Sequence, residues 1–360
     1  MDRRLFLASS AASVPLASCV TARPPLARNA CLAPVDVSPS RVIRTVAGLR
    51  PYRASGFVVR AEPLGAKTLV HNYGHGGAGI TLSWGSSRLA TQLGLPGHRG
   101  PVAVLGAGVM GLSTARLAQE AGYAVTIHTK ALPPDTTSNI AGGQISPFGH
   151  YREDSVTAAW RAQFAAAMDY SWRRFQIMLG DDYGIRWLPT YEQSDEVEAA
   201  PFASYHVDSR LLTRSEHPFP AEPMRRFVTM YVEVGRYLRQ LTRDFLGAGG
   251  RIEVREFASP GELATLPETL VFNCTGLGSR ALFGDEELRP VRGQLAILLP
   301  QPEVDYAYLG EAGYMFPRAD GIVLGGSFEY DKWEAAPQPE RIARILESHR
   351  AFNAGLRCTA

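Results

Sequence analysis

The sequence has almost no excess of either charge. Its 37 lysines and arginines stand against 35 aspartates and glutamates, so the formal net charge of the 360 residues is +2. A strongly basic surface of the kind that binds nucleic acid is therefore not indicated. With 45% hydrophobic and 20% charged residues, the composition is that of a globular chain long enough for two packed domains.

Long apolar runs are also scarce near the N-terminus. The first nineteen residues carry an apolar run of about a dozen residues, which is too short to span a membrane. The pair Arg3 and Arg4 begins a segment that resembles a twin-arginine export signal, and the residues that end at Cys19 resemble a bacterial lipobox, with a lipid anchor on that cysteine. A plain cleavable signal is the alternative. We expect a periplasmic or cell-envelope protein, in which residues 20–40 form a proline-containing linker.

A glycine-rich motif follows a short apolar segment in the middle of the first half. Val102–Leu105 has the pattern of a buried strand, Gly106, Gly108 and Gly111 follow it, and residues 112–122 have a helical pattern. In a strand, turn and helix of this kind, the glycines permit a tight turn, close approach of a pyrophosphate and close helix packing. The motif predicts a dinucleotide site, and a structural glycine turn is the alternative.

The acidic residue that commonly binds the ribose hydroxyls is missing. It is expected about twenty residues after the glycines, at the end of the second strand, where the sequence instead has His128-Thr129-Lys130. This departs from the ordinary NAD pattern. Lys130 is a candidate ligand for ribose oxygens or a phosphate, and a solvated residue at the end of a strand is the alternative.

Two further segments indicate which dinucleotide is bound. The segment VFNCTGLGSRAL continues a strand that begins at Leu270 and is broken at Gly276 and Gly278, which is typical of backbone close to a cofactor. The segment PPDTTSNIAGGQISPF has hydroxyls and glycines that can present donors to a phosphate and a ring system. Together they favour a flavin.

At this point the chain resembles the D-amino acid oxidase family of FAD enzymes. The matching motifs run in family order from Val102 to Trp333 and are VLGAGVMGLSTA, DTTSNIAGG, NCTGLGSRALFGD, LRPVRGQ and YMFPRADGIVLGGSFEYDKW. The pieces that close the family's sequence do not follow Ala360. They stand at the front, as AGLRPYR from Ala47, GFVVRAE from Gly56 and LVHNYGHGGAGITLSWG from Leu69. The sequence therefore looks like a circular permutant, in which LPGHRGP joins the two blocks.

The resemblance implies an α/β (α+β) fold, with a Rossmann-like FAD-binding domain interleaved with an antiparallel-sheet substrate domain. Within it, the apolar helical spacing across residues 153–179 predicts a core helix. The expected divisions are the export signal at 1–19, the linker at 20–40, substrate-domain pieces at 41–66, 151–242 and 291–335, FAD-domain pieces at 67–150 and 243–290, and a C-terminal helix and tail at 336–360.

The reaction that the resemblance implies is the oxidation of a D-amino acid to an imino acid, with transfer of hydride from Cα to the flavin. Oxygen then reoxidises the flavin, and the imino acid hydrolyses to a keto acid and ammonia. Arg50 matches the family's carboxylate-binding arginine, with a salt-bridged surface arginine as the alternative. Tyr314 matches the tyrosine whose hydroxyl contacts the substrate carboxylate, with a buried aromatic at the start of a strand as the alternative. The family's second tyrosine is Gly310 here, and Tyr308 is a candidate replacement. Gln144 stands where mammalian members have an apolar residue.

Residues 76–81 are expected to lead into a helix whose N-terminus favours negative charge on the reduced ring. The alternative is a plain glycine turn. The residues expected to bind FAD are Gly76, Gly77, Gly79, Ile80, Thr81, Gly106, Gly108, Val109, Met110, Gly111, Lys130, Thr136, Thr137, Ser138, Gly143, Gln144, Thr275 and Gly276.

The cysteines and the two histidines of HNYGHGG have separate expectations. Cys31 and Cys358 flank the break in the permuted order, so we expect them to pair in an oxidising compartment, against the alternative that both tails are disordered. Cys274 is predicted to be a small core residue. His71 and His75 are expected to make local hydrogen bonds and no metal site, because no acidic or cysteine partner stands at ligand spacing.

Two other functions stay open at this stage. One is an oxidase or dehydrogenase of glycine, sarcosine or D-aspartate, which would use the same fold with a different pocket. The other is a catalytically impaired flavin-binding protein. The expected partners are a small D-amino acid and molecular oxygen, with no nucleic acid, and a homodimer is left open.

Overall fold

Two β-sheets carry the fold, and both are assembled from segments that lie far apart in the sequence. The computed structural model describes residues 31–146, 148, 150–200 and 202–357. The predicted export signal, most of the predicted linker and Cys358 lie outside these residues. None of the helices in the described residues is long and apolar enough to cross a membrane.

The elements alternate between the two sheets along the chain. The strands, in chain order, are β1 (Val42–Tyr52), β2 (Val58–Leu64), β3 (Lys67–Tyr73), β4 (Val102–Leu105), β5 (Val125–Thr129), β6 (Ile185–Glu192), β7 (Val207–Leu212), β8 (Met224–Val232), β9 (Arg251–Val254), β10 (Leu270–Asn273), β11 (Arg289–Leu298), β12 (Ala307–Gly310), β13 (Gly313–Arg318), β14 (Gly321–Gly325) and β15 (Glu329–Tyr330). The helices are α1 (Gly79–Gly94), α2 (Val109–Glu120), α3 (Ala158–Ile177), α4 (Val234–Gly247), α5 (Gly278–Phe283) and α6 (Pro339–Ala354).

The first sheet, here called the nucleotide sheet, has the strand order β2-β3-β10-β4-β5-β9. The five strands β3, β10, β4, β5 and β9 are all parallel to one another, and the edge strand β2 is antiparallel to β3. Strands β4 and β10 are buried along their whole length, as expected for a parallel sheet covered on both faces. The assignment of residues 41–66 to the substrate domain is wrong for β2, because all seven of its residues pair with β3.

The second sheet, here called the substrate sheet, has the order β1-β11-β14-β13-β12-β6-β8-β7, with β15 paired to β11. Its neighbours are antiparallel except for the parallel pair of β12 and β6. One face packs against α6 through a core that includes Met315 and Leu324. The opposite face carries Tyr231, Phe316 and Tyr314. This second face is called the site face below.

Helix α3 confirms the core helix predicted from the aromatic spacing. Trp160, Phe164, Met168 and Trp172 are all buried in the core that also contains α1 and α2. Cys274, at the end of β10, is likewise buried and free, as predicted.

The N-terminal part of the described chain packs against the C-terminal helix. Val35 and Val37 are 3% and 4% exposed, and the Val35 backbone N–H donates to Asn353 Oδ1 of α6 at 2.8 Å. The end of the predicted linker is therefore docked on α6. Cys31 forms a disulfide bond whose partner lies outside the described residues, so its pairing with Cys358 stays a prediction.

Helices α1 and α3 cross at Gly85, and this contact generates a stability prediction. A methyl group on Gly85 would lie 1.8 Å from the carbonyl oxygen of Ala167. Gly85→Ala is therefore expected to lower the free energy of unfolding by about 3 kcal/mol or more, as overpacked cores do. Chemical denaturation measures it, with Gly247→Ala as control because that position has no atom within 4 Å. Equal effects of the two substitutions would contradict the close crossing.

Candidate active site

The two glycine-rich motifs lie side by side and form one site. Strand β10 pairs with β3 on one side and with β4 on the other, so the loops that follow these strands meet at the same edge of the sheet. A methyl group on Gly79 would touch Met110 Cε at 4.0 Å, and Asn72 Nδ2 donates to Thr114 Oγ1 of α2 at 3.1 Å. The predicted adjacency of the motifs is confirmed.

The glycines of the 106–111 turn meet the geometry expected of them. Gly106 has φ of +100°, and a methyl group there would lie 2.7 Å from the carbonyl oxygen of Cys274. A methyl group on Gly111 would lie 1.8 Å from the carbonyl oxygen of Gly106. The tight turn and the close helix packing are thus confirmed. At Gly108 the one near atom is Ser138 Oγ, which leaves the backbone open on that side.

The segment after β5 lies over the start of α2. The backbone N–H of Val109 donates to Ser138 Oγ at 3.0 Å, and Thr137 begins a short 3₁₀ turn, Thr137–Ile140. Thr136 Oγ1 donates to Asn139 Oδ1 at 2.8 Å, which holds the turn. Gly143 has φ of +99° and packs on the carbonyl oxygen of Val232, so no side chain fits there.

The segment after β10 completes the crevice. The Thr275 hydroxyl donates to Asn273 Oδ1 at 2.7 Å, and this hydrogen bond holds the Thr275 side chain against the last residue of β10. Gly276 has φ of +57°, and no atom of the described residues lies within 4 Å of where its side chain would begin. The open backbone at Gly108 and Gly276 leaves space above the carboxyl ends of the parallel strands.

Lys130 does not point to a described partner within this crevice. Its side chain is 68% exposed, and its Nζ lies 3.5 Å from Glu256 Oε1. The residue before it, Thr129, holds the glycine turn instead, since Ala107 N–H donates to Thr129 Oγ1 at 3.1 Å. The ligand role of Lys130 stays a prediction.

The stretch from Gly76 leads into α1 as predicted, through the 3₁₀ turn Gly76–Ala78. The Thr81 hydroxyl donates to the carbonyl oxygen of Ser146 and accepts from its N–H, both at 3.1 Å, and its contact with FAD stays a prediction. The N–H groups at the start of α1, from Gly79 and Ile80 onward, have no partner within the helix and remain able to meet an anion.

The convergence of these segments fits FAD. The loops that follow β3, β10 and β4 meet above the carboxyl ends of these strands, with open backbone at Gly108 and Gly276, and the first turns of α1 and α2 begin at the same edge. Backbone donors at helix starts suit a pyrophosphate. FAD, when bound here, supplies the hydride acceptor.

Arg50 and Tyr314 lie together on the site face of the substrate sheet. Arg50 Nη1 donates to the carbonyl oxygen of Ser327 at 3.2 Å, and its guanidinium carbon lies 4.5 Å from the ring centre of Phe328. The guanidinium rests directly on Gly293, where a methyl group would lie 2.4 Å from Nη2. These contacts fix the plane of the arginine fork.

The Tyr314 hydroxyl is protonated in this setting. Burial raises the pKa of Tyr314 above its usual value, and the neighbouring positive charges of Arg50 and Arg318 oppose this only in part. A protonated hydroxyl beside a guanidinium presents two kinds of donor to one carboxylate.

The sequence analysis missed the glycines that make room for this pair. A methyl group on Gly325 would lie 2.2 Å from Tyr314 Cζ, much as one on Gly293 would strike Arg50. Gly293 lies inside β11 and Gly325 ends β14, and a glycine within or at the end of a strand is the available signal for close approach of another group.

The hydroxyl of Tyr308 lies where the side chain of Gly310 would begin, because a methyl group on Gly310 would lie 2.2 Å from Tyr308 Oη. Tyr308 pairs with Met315 across the hairpin of β12 and β13, so its ring lies on the face opposite Tyr314. The ring centres of Tyr308 and Phe352 of α6 are 4.0 Å apart. The role of Tyr308 as a replacement for the missing tyrosine stays a prediction.

His71 in β3 and His75 in the loop after it differ in their hydrogen bonding. His71 makes local hydrogen bonds as predicted, with Glu62 Oε1 at 3.0 Å and with Asn273 Nδ2 at 3.0 Å. His75 stacks on Phe57 with 5.0 Å between ring centres, and its buried Nε2 has no partner among the described residues. Burial lowers the pKa of His75 to about 3, so it is neutral at physiological pH.

Comparison with known proteins agrees with this geometry. The family model DAO, described as FAD dependent oxidoreductase, matches residues 25–93 and 101–356. The chain belongs to this family.

Two curated relatives and one solved structure illustrate the similarity. Human D-aspartate oxidase is 31% identical over 68% of this chain and 73% of its own length. D-amino-acid oxidase of Streptomyces coelicolor is 31% identical over 69% of this chain and 76% of its own length. Glycine oxidase of Bacillus cereus superposes with a TM-score of 0.51 at 18% identity, covering 71% and 78% of the two chains, which supports the shared fold.

The contact between Gly293 and Arg50 generates a prediction for ligand binding. In Gly293→Ala the added methyl group displaces the guanidinium, so the dissociation constant of a simple carboxylate such as propionate is expected to rise by about tenfold or more. Titration followed by flavin absorbance measures it. Gly261→Ala, on an exposed turn whose nearest atom is 3.7 Å away, is the control. An unchanged constant in Gly293→Ala would mean that the carboxylate binds elsewhere.

Proposed function

We propose that this protein oxidises D-amino acids to 2-oxo acids, ammonia and hydrogen peroxide. The observation that carries the proposal is the position of the Arg50 guanidinium beside the Tyr314 hydroxyl. Both groups lie on the sheet face next to residues 141–145, here called the flavin loop. A methyl group on Gly142 of that loop would lie 3.5 Å from the Tyr314 ring, so the carboxylate anchor and the cofactor loop are neighbours. The D-aspartate and D-amino acid oxidases among the relatives support the substrate class.

The protein's own residues bind and orient the substrate. Arg50 donates two hydrogen bonds from its guanidinium to the α-carboxylate, and Tyr314 donates a further one from its hydroxyl. Fixing the carboxylate leaves the Cα–H bond free to be aimed at the hydride acceptor, which is the main task of a protein in such chemistry.

The overall reaction balances without a side-chain base. The substrate loses a hydride from Cα and a proton from its amine to give an imino acid, and water converts the imino acid to the keto acid and ammonia. FAD, when bound, would supply the acceptor for the hydride, and molecular oxygen would be the final oxidant that takes up the two electrons and two protons as hydrogen peroxide.

Anaerobic visible spectra test the proposal. The flavin absorbance of the protein is expected to bleach on addition of D-amino acids and not of their L-enantiomers. Bleaching by glycine or sarcosine alone would move the protein to that second class of oxidase. A bound flavin that no amino acid bleaches would favour an impaired flavin-binding protein.

The role of Arg50 is tested by substitution. Arg50→Ala is expected to raise KM by roughly 100-fold while flavin stays bound, because each charge-assisted hydrogen bond to a carboxylate contributes about 1.5–3 kcal/mol. The matched control is Arg44→Ala, an exposed arginine on the same strand. Equal kinetic constants for the two variants would reject the assignment.

We also propose that the chain is a circular permutant of its family. The family model matches in two segments that meet near residues 93–101, an exposed connection between α1 and β4. The docking of residues 35–37 on α6 supports the proposal, because it brings the start and the end of the described chain together.

Reordering the chain tests the permutation. A variant that begins at Arg99, runs to Arg357 and continues through a short Gly-Ser linker into residues 41–95 is expected to fold and to bind FAD with an affinity close to that of the natural order. A control opened at Ala115, inside α2, is expected not to fold. Failure of the first variant to bind FAD would contradict the proposal.

A further inference from the structure

Three side chains on the site face, those of Gln144, Tyr231 and Thr190, are joined by hydrogen bonds. Gln144 Nε2 donates to the hydroxyl of Tyr231 at 2.9 Å, and that hydroxyl lies 2.9 Å from Thr190 Oγ1. The hydrogen bond between the hydroxyls of Tyr231 and Thr190 can run in either direction. The Nε2 end of the Gln144 amide is therefore anchored on a hydroxyl that is itself hydrogen-bonded within the sheet.

This chain is linked to Arg50 and Tyr314 through stacked rings. The ring centres of Tyr314 and Phe316 are 4.7 Å apart, and those of Phe316 and Tyr231 are 5.2 Å apart. Gln144 itself follows Gly142 and Gly143 on the loop that lies against Tyr314. Gln144 therefore lies near the pair formed by Arg50 and Tyr314.

Gln144 has unused hydrogen-bonding capacity. One of its amide N–H groups goes to Tyr231, and no described residue donates to Oε1, so an acceptor and a second N–H remain. Two residues along the same extended segment, the buried Ser146 hydroxyl has no partner among the described residues. Buried polar groups of this kind discriminate strongly between ligands that bond to them and ligands that do not.

The charges on this face do not suit a carboxylate side chain. The buried Arg225 is paired with Glu192 and lies 3.7 Å from Glu198 Oε2. The buried Arg318 is held by Asp320 at 2.8 Å. Both arginines are already neutralised, and Glu192 and Glu198 together exceed the one charge of Arg225.

We propose that Gln144, oriented by Tyr231 and Thr190, selects D-amino acids whose side chain ends in an amide. The amide of Gln144 pairs with the substrate amide, Oε1 accepting from its N–H and the free N–H of Gln144 donating to its carbonyl. Tyr231 and Thr190 are positioning residues that do not touch the substrate. This inference rests on the proposed function.

The test compares D-amino acid substrates that undergo the same oxidation and differ only in their side chains. The kcat/KM values of D-asparagine, D-glutamine, D-leucine and D-aspartate are measured per bound flavin, for the natural protein and for Gln144→Leu, Tyr231→Phe and Gln176→Leu. Gln176 is the control because its amide bonds only within its own helix, to the Trp172 carbonyl oxygen. The natural protein is expected to favour one of the two amide substrates over D-leucine and D-aspartate.

In Gln144→Leu the ratio of kcat/KM for that amide substrate to kcat/KM for D-leucine is expected to fall by about tenfold or more. Tyr231→Phe is expected to lower the same ratio several-fold through KM of the amide substrate, because the glutamine amide loses its fixed orientation. Gln176→Leu leaves the ratio as it is.

The outcomes separate the two proposals. Oxidation of D-amino acids with the same ratio in Gln144→Leu as in the natural protein overturns the amide inference alone. A preference of the natural protein for D-aspartate or D-leucine over both amides also overturns it. No oxidation of any D-amino acid overturns the proposed function, and the amide inference falls with it.

Discussion

The structure depends on the pairing of β10 between β3 and β4. This strand, Leu270–Asn273, bonds on one side to a segment that precedes the glycine motif and on the other to the strand that begins it. Without it the starts of α1 and α2 have no common edge, and the backbone donors that suit a dinucleotide are dispersed. The register is fixed because β4 and β10 are buried along their whole length and β3 is buried from Leu69 onward, so a shift would expose apolar side chains.

The substrate half of the site depends on glycines in a comparable way. Arg50 can lie flat on β11, and Tyr314 on β14, because Gly293 and Gly325 have no side chains. The guanidinium of Arg50 and the ring of Tyr314 therefore rest on the backbone of Gly293 and Gly325, and few polar side chains surround them. Such support is rigid, and the hydrogen-bonding capacity of Arg50 and Tyr314 stays largely available to a ligand.

The motifs with fixed backbone requirements were predictable from the sequence. The turn at Gly106, the start of α1 at Gly79 and the core helix with Trp160 follow from local spacing. The sheet to which β2 belongs was missed, although only Gly65 and Ala66 separate it from β3, and a turn of two residues keeps both strands in one sheet. The face of Tyr308 depends on the pairing of Tyr308 with Met315, which the length of the hairpin sets and which composition does not reveal. The hydroxyl of Thr81 binds Ser146, a contact across 65 residues that no local pattern encodes.

The position of β1 at the front of the chain has a consequence for synthesis. Its partner is β11, so Arg50 emerges from the ribosome some 240 residues before Val291, opposite which it pairs. At about 5–20 residues per second this delay is roughly 12–50 seconds. Strand β3, which can pair early with β2, is synthesised almost 200 residues before its second partner, β10. During that time the growing chain carries unpaired strand edges that can join other chains, and native pairing of this kind is slow because it joins distant segments. The nascent protein therefore has a long interval in which chaperones, rather than its own contacts, keep it from aggregating.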